Sequence, residues 1–197
     1  MVKFFFISLL TIVFFSCNNT KKENNSVTES QANSDSTFYA EQGLNYALAT
    51  KAVLGKNLMG TIQKKGVLEA LSFCNERAYP LTDSMALAQN AKIKRVSDRP
   101  RNPNNMASPS EINHINTFKK QLESGKAIAP IVEATNNRTT VYYPITINAL
   151  CLQCHGTPQD IAPETIKMLG LLYPNDKAIG YGVNQVRGIW NVSFERP

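Results

Sequence analysis

The residues best suited to chemistry lie together at positions 151–155, which read Cys-Leu-Gln-Cys-His and are followed by Gly156. Two thiols separated by two residues can form thioethers with the two vinyl groups of one porphyrin, and the adjacent histidine then ligates the iron. Cys151, Cys154 and His155 therefore predict one covalently attached haem c, with His155 as an axial ligand of its iron.

Two other kinds of site use a C-x-x-C pair. A thioredoxin-like redox site needs a βαβ context, and the sequence around Cys151 does not show one. A closed zinc site needs four protein ligands, which this chain supplies only if Cys74 and one of its two histidines join the pair. Covalent haem is therefore the favoured interpretation.

The N-terminus has the pattern of a targeting segment. A basic start is followed by an apolar run over residues 4–15 and then by Ser16 and Cys17. This pattern predicts a lipoprotein-type signal peptide over residues 1–16 and a lipid on Cys17, although a plain secretory signal with an incidental cysteine is the alternative. Export agrees with the haem motif, because c-type haem is attached outside the cytoplasmic membrane. We expect a protein lipid-anchored to a bacterial membrane, on its periplasmic side or at the cell surface.

Composition separates the rest of the chain into two parts. Residues 17–36 are rich in Asn, Ser, Thr, Lys and Glu, so they cannot bury enough apolar surface to fold alone. We expect them to form a flexible tether and residues 37–197 to form one domain. The net charge of +6 is not concentrated in one run, and no basic stripe with interleaved aromatic residues predicts binding to nucleic acid.

Cys74 is the cysteine left over when Cys17 and the haem motif are set aside. It lies on the apolar stripe of a helix predicted over Gly66 to Ala78, so its side chain should point inward. Near a helix C-terminus the dipole disfavours a thiolate, and only a strong positive charge such as ferric iron would compensate. A small buried apolar-like residue and a second axial ligand are equally compatible with this position. Other candidate ligands are His114, Met59, Met85, Met106 and Met168.

The remaining pattern predicts an α+β domain with N-terminal helices and an antiparallel meander with interposed helices. The predicted helices cover Thr37 to about Ile62, Gly66 to Ala78, Ser108 to about Leu122, and Pro163 to Leu172. Ser108, Pro109 and Glu111 predict a capped helix start. The predicted strands cover Lys92–Val96, Ala129–Thr135, Arg138–Ile147 and two segments within Gly180–Phe194, with Asn136-Asn137 as a hairpin turn.

Several separated segments resemble a bacterial family of exported c-type haem domains that often occur fused to sensor kinases. The matching segments are Leu68–Cys74, Arg95–Asn105 with Glu111, Cys151–Gly156, Tyr173-Pro174, Ala178–Tyr181 and Arg187-Gly188. The resemblance spans about Leu44 to Phe194. The Arg-x-Ser and Arg-Asn-Pro signatures within Arg95–Asn105 are more distinctive than C-x-x-C-H alone.

This resemblance implies a PAS-like antiparallel sheet with the covalently bound haem against it. It also implies His155 as one axial ligand and a cysteine as the other, and Cys74 falls on the position of that cysteine. The arginine-bearing loop would wrap the haem edge, where Arg95, Arg99 or Arg101 could pair with the propionates.

Two axial ligands from the protein would leave no open coordination position on the iron. The sequence therefore favours redox or small-ligand sensing, or low-potential electron transfer, over catalysis. The alternative is a small haem enzyme, peroxidase-like or reductase-like, in which Cys74 is only core packing and the distal side is open. A sensor would need another protein as its redox or signalling partner, because the chain stops at Pro197 without an output module.

Overall fold

The computed structural model describes residues 23–135 and 137–195. The predicted signal peptide over residues 1–16 and the predicted lipid on Cys17 lie outside the described residues and stay predictions. The chain divides into two units, Met1–Asp35 and Ser36–Pro197. Within the described part, no helix has the length and apolar character needed to cross a membrane.

The helices and strands follow one another in a mixed order. The helices of the described residues are α1 (Glu23–Lys65), α2 (Val67–Glu76), α3 (Ala78–Ala88), α4 (Pro109–Glu123), α5 (Leu152–His155) and α6 (Pro163–Leu172). The strands are β1 (Lys92–Val96), β2 (Ile131–Ala134), β3 (Arg138–Thr146) and β4 (Val186–Glu195). Short 3₁₀ turns cover Pro103–Asn105 and Ala149–Cys151.

The described strands form one antiparallel sheet in the order β1-β4-β3-β2. This confirms the α+β class with N-terminal helices and a PAS-like antiparallel sheet. The expected sequential meander is wrong, because β4 is inserted between β1 and β3. The central place of β4 fits its composition: Ile189 and Val192 are fully buried, whereas β1 carries exposed Lys92 and Lys94 and suits an edge.

Helix α1 packs closely on one face of the sheet. Ala47 and Thr50 are completely buried along this helix. A Cβ atom built on Gly43 would lie 2.4 Å from the Cβ atom of Val141 on β3, so only glycine allows this approach. Trp190 joins Val141 in the core beneath the helix.

Helix α4 covers the opposite face of the sheet, where Ile115 and Phe118 are completely buried. The predicted capping box is confirmed: the Ser108 hydroxyl accepts a hydrogen bond from the Glu111 amide, and a Glu111 carboxylate oxygen accepts one from the Ser108 amide at 2.8 Å. Asn191 of β4 donates to the other Glu111 oxygen at 2.8 Å, which ties the helix start to the sheet.

Helix α1 begins at Glu23, so the helix start predicted at Thr37 is wrong. A helix satisfies its own backbone hydrogen bonds and can therefore continue beyond the apolar stripe that is buried. The role of residues 17–36 as a tether stays a prediction.

Two other expectations differ from the structure. Helix α3 was not predicted, because Pro80 follows the helix predicted over Gly66 to Ala78 and a proline there favours a helix end. A proline is also well tolerated in the first turn of a new helix, which is where Pro80 lies in α3. The first of the two strands expected within Gly180–Phe194 is absent from the described residues. The amides of Gly180 and Tyr181 instead donate to the carbonyl groups of Gly156 and His155.

Candidate haem site

The C-x-x-C-H motif forms a short, capped helical segment directly after β3. The side chain of Asn148 accepts hydrogen bonds from the amides of Leu150 and Cys151, at 3.0 and 3.2 Å, and starts the turn. Gly156 ends α5, and a Cβ atom built there would lie 2.7 Å from the Leu152 carbonyl oxygen. The motif therefore needs a glycine for close packing.

The two motif cysteines are free, half-buried thiols. Cys151 contacts an apolar cluster of Ile147, Ala178 and Tyr181, whereas Cys154 packs against the cluster that contains Leu71 of α2. Burial raises the pKa of Cys154 to about 11, against the opposing effect of Arg101. Neither sulfur is in a disulfide, which thioether formation with a porphyrin would require.

His155 presents one ring nitrogen for ligation. Its Nδ1 atom lies 2.7 Å from the carbonyl oxygen of Ala178 and 3.4 Å from Nε of Arg187. A ring nitrogen cannot donate to the first and accept from the second, and the shorter distance assigns the proton to Nδ1, directed at Ala178. Nε2 is then an acceptor, the state in which a histidine binds a metal. Burial lowers the pKa of His155 well below its usual value, and Arg101 and Arg187 lower it further, so the ring stays neutral.

His155 and Cys74 line the same pocket, which has a volume of about 280 Å³. The pocket lies between α1, α2 and the sheet, with Trp190 and Gly188 of β4 in its wall. Arg95 of β1 also lines it. The structure therefore brings three of the residues predicted from the sequence to one cavity.

Cys74 lies in the last turn of α2, on the face that turns away from solvent. Burial raises the pKa of its thiol, while the positive charges of Arg101 and Arg95 act in the opposite direction. The sulfur thus lies among cations that favour a thiolate, in a site whose burial disfavours one. A metal cation adjacent to the sulfur would shift this balance toward the thiolate.

Arg95 and Arg187 are two of the three cationic residues in the pocket wall, the third being Lys51. Arg95 has one hydrogen bond, at 3.5 Å, to the carbonyl of Ala78; Arg187 donates to Ser97 Oγ at 2.9 Å and to the Arg99 carbonyl at 3.2 Å. Neither guanidinium forms an ion pair with a carboxylate of the described residues. An anion bound in the pocket would compensate these half-buried cations.

Sequence reasoning did not single out Arg187 as a site residue. It lies within the Arg187-Gly188 match, but its place in the pocket depends on the pairing of β4 beside Ser97, which is distant in the sequence. Ser97 accepts from the Arg99 amide at 3.0 Å and donates to the Arg187 carbonyl at 2.7 Å. The Arg-x-Ser signature was the available signal, because its serine is the residue that holds Arg187.

Arg99 and Arg101 lie outside the pocket wall and bind protein carbonyl groups. Arg99 donates to the carbonyl oxygens of Lys177 and Ile179, and its guanidinium lies 4.5 Å from the centre of the Tyr181 ring. Arg101 donates to the carbonyl of Cys154 and forms a 2.9 Å ion pair with Asp176. Pairing of either arginine with propionates stays a prediction.

The competing axial ligands are not in this pocket. His114 lies against Tyr142, with ring centres 4.3 Å apart, and its Nε2 atom is 3.0 Å from a Glu133 oxygen. Met106 is 46% exposed, and Met168 packs against the α2–α6 cluster. In residues 23–135 and 137–195, no three His, Cys, Asp or Glu side chains cluster as potential metal ligands.

The residues present fit a haem. The Nε2 acceptor of His155 and the thiol of Cys74 share one pocket, and the two motif thiols lie in the adjacent turn. The guanidinium groups of Arg95 and Arg187 have no carboxylate partner among the described residues, and haem propionates would supply one. This donor set suits an iron porphyrin better than a closed zinc site, because the described residues do not assemble four ligands.

Comparison with known proteins supports the resemblance drawn from the motifs. The crystal structure of the cyanobacterial haem protein Tll0287 has a similar fold, with a TM-score of 0.55 and 20% sequence identity over 78% of this chain and 95% of that chain. Among curated proteins, none matches this sequence. The model of the Tll0287-like family matches residues 18–195. The chain therefore belongs to the Tll0287-like family.

Proposed function

We propose that this chain is an exported, lipid-anchored monohaem protein of the c type. Cys151 and Cys154 hold the porphyrin covalently, and His155 and Cys74 are the axial ligands of the iron. The protein serves redox or small-ligand sensing, or low-potential electron transfer. Its family membership and a fold shared with a haem protein support haem binding. The N-terminal sequence pattern supports export and the lipid on Cys17.

One observation carries the proposal: His155 and Cys74 line the same cavity beside the motif. They come from α5 and α2, which are far apart in the sequence, so local patterning does not explain their meeting. The hydrogen bond from Nδ1 to Ala178 directs the free nitrogen lone pair of His155 away from that carbonyl. Such a bond is the usual support of a metal-bound histidine.

The bound haem would supply one-electron exchange. His155 and Cys74 would hold its iron from the two sides, which would leave no coordination position for a substrate. A thiolate ligand favours the oxidised metal and so predicts a low reduction potential. For a sensor, release of Cys74 from the metal would be the switch, with α2 transmitting it.

Absorption spectra of the purified protein in both oxidation states, with and without carbon monoxide, test this proposal. Ligation by His155 and Cys74 predicts a low-spin, six-coordinate ferric spectrum with thiolate character. Carbon monoxide should bind only to the reduced protein and only by displacing Cys74. A high-spin ferric spectrum would instead support the haem enzyme with an open distal side.

The variant Cys74→Ala makes the test specific to the ligand. We expect it to retain covalent haem but to become high-spin, because the distal position opens. Ser72→Ala, on the same helix and also half-buried, is the matched control and should keep the wild-type spectrum. An unchanged spectrum in Cys74→Ala would remove Cys74 from the site.

A further inference from the structure

The loop before Tyr181 is held by a carboxylate that is largely shielded from solvent. Both oxygens of Asp176 are used: Oδ1 accepts from the Ala178 amide at 2.7 Å, and Oδ2 accepts from Nε of Arg101 at 2.9 Å. Only 11% of each side chain of the Asp176–Arg101 pair is exposed. The pair is therefore shielded from solvent, where an ion pair sets geometry more firmly than it does at the surface.

Arg101 connects this loop to the haem motif. Besides its bond to Asp176, its Nη2 atom donates to the carbonyl of Cys154 and, at 3.4 Å, to that of Ala178. The planar guanidinium thus fixes the motif and the loop relative to each other. An ammonium group, as a single point of attachment, cannot bind all three acceptors in the same way.

The Ala178 carbonyl is the group that orients His155. It accepts the Nδ1 proton at 2.7 Å, and its own amide is the one bound by Asp176. Asp176 and Arg101 therefore determine where this carbonyl lies, and through it the direction and basicity of the histidine. His155 itself lines the pocket, so the pair acts on this ligand through the Ala178 carbonyl and through the Cys154 carbonyl that directly precedes it in the chain.

We propose that the Arg101–Asp176 ion pair is the positioning device of the axial histidine and that it lowers the reduction potential of the haem. This inference rests on the function proposed above. A firm bond from Nδ1 to a carbonyl makes imidazole a stronger donor, which stabilises the oxidised metal. The carboxylate also offsets the positive charge that Arg101 brings to the Cys154 carbonyl, so its loss would leave an unpaired cation beside the motif and raise the potential.

The test is the midpoint potential and the ferric electron paramagnetic resonance spectrum of Asp176→Asn and Arg101→Lys in the haem-loaded protein. Asp176→Asn should raise the reduced-to-oxidised ratio at fixed ambient potential about tenfold, which is about 59 mV for one electron. Arg101→Lys keeps the charge, so a rise in its potential reports positioning alone. Both variants should shift the resonance g-values, which respond to ligand orientation.

Two exposed residues provide the controls: Glu123→Gln matches the charge change of Asp176→Asn, and Arg77→Lys matches Arg101→Lys. Both control variants should keep the wild-type midpoint potential and g-values. An Arg101→Lys potential equal to that of Arg77→Lys would overturn the positioning role, even if Asp176→Asn shifts by its charge. Loss of haem from both variants would assign the pair to folding or maturation and also overturn it. Absence of haem from the wild-type protein would instead refute the proposed function.

Discussion

At the scale of single residues, two kinds of signal led to the site. The spacing of Cys151, Cys154 and His155 is local, so the sequence alone predicts their chemistry. The inward direction of Cys74 follows from helical periodicity, but its meeting with His155 depends on long-range packing. Arg187 was not identified, because only the strand pairing places its side chain beside Ser97 and in the pocket wall, and that pairing is not visible in the local sequence.

Arg95 provides a residue-scale prediction, since it is a half-buried cation whose hydrogen bond to Ala78 is long, at 3.5 Å. Replacing it by methionine in protein without haem should raise the free energy of unfolding by about 1 kcal/mol, because a largely desolvated charge without a carboxylate partner is removed. With haem bound, the same variant should be less stable than wild type, since the propionates lose a partner. Denaturant unfolding of both forms is the measurement.

The effect of Arg95→Met should thus change sign between the two forms. The haem-free form is produced with Cys151→Ala and Cys154→Ala, and the stabilities of Arg95 and Arg95→Met are compared in this background. An effect of the same sign in both forms would mean that Arg95 does not face an anionic group in the loaded site.

At the scale of elements, the structure follows the sequence where local chemistry decides. The capping box at Ser108 and the limits of α6, Pro163–Leu172, were predicted and are confirmed. Helix α3 was missed because a proline is common both just after a helix and in the first turn of a helix, and the sequence near Pro80 does not distinguish the two. The segment before β4 was mistaken for a strand because its amides bind the haem motif, which no local pattern indicates.

Glu111 predicts a pH dependence for the start of α4. Burial acts to raise its pKa, but hydrogen bonds from the Ser108 amide, the Asn191 side chain and the Ser108 hydroxyl outweigh it, and the net pKa is lowered. Because the pKa of Glu111 is lower in the folded protein than in the unfolded chain, its carboxylate stabilises the fold at pH values above the unfolded-state pKa. This stabilisation is lost as the pH falls through the folded-state pKa. Glu111→Gln should therefore flatten the acid limb of the stability curve measured by thermal unfolding.

The comparison that tests this assignment is Glu123→Gln, at the other end of α4 and exposed. It should leave the acid limb unchanged. If Glu111→Gln and wild type lose the same stability between neutral and acidic pH, the capping carboxylate is not the group that titrates.

The packing of α1 on the sheet gives a second prediction at this scale. Gly43→Ala should destabilise the protein by about 1–3 kcal/mol, because the added methyl group would overlap Val141 on a rigid strand. Gly60→Ala lies on the same helix with nothing within 4 Å of its Cβ position, and it should stabilise by about 1 kcal/mol through helix propensity. Urea unfolding of the two variants measures both values, and equal effects would contradict the close contact.

At the scale of the whole molecule, the α+β class was predictable because helix and strand periodicities are local. The strand order was not, since the pairing of β4 with β1 joins residues 93 to 101 positions apart in the sequence. That pairing is also what creates the site. It brings Arg95, Ser97, Arg187 and Gly188 to one place, next to the turn that carries the motif.

Covalent attachment of haem to the motif is the central claim, and mass spectrometry of the protein tests it most directly. The protein is produced in a host that matures c-type cytochromes, treated with a thiol-alkylating reagent and digested. The account predicts that the peptide containing residues 151–155 carries one haem and that Cys151 and Cys154 are both protected from alkylation. A colourless protein in which both of these thiols are alkylated would contradict it.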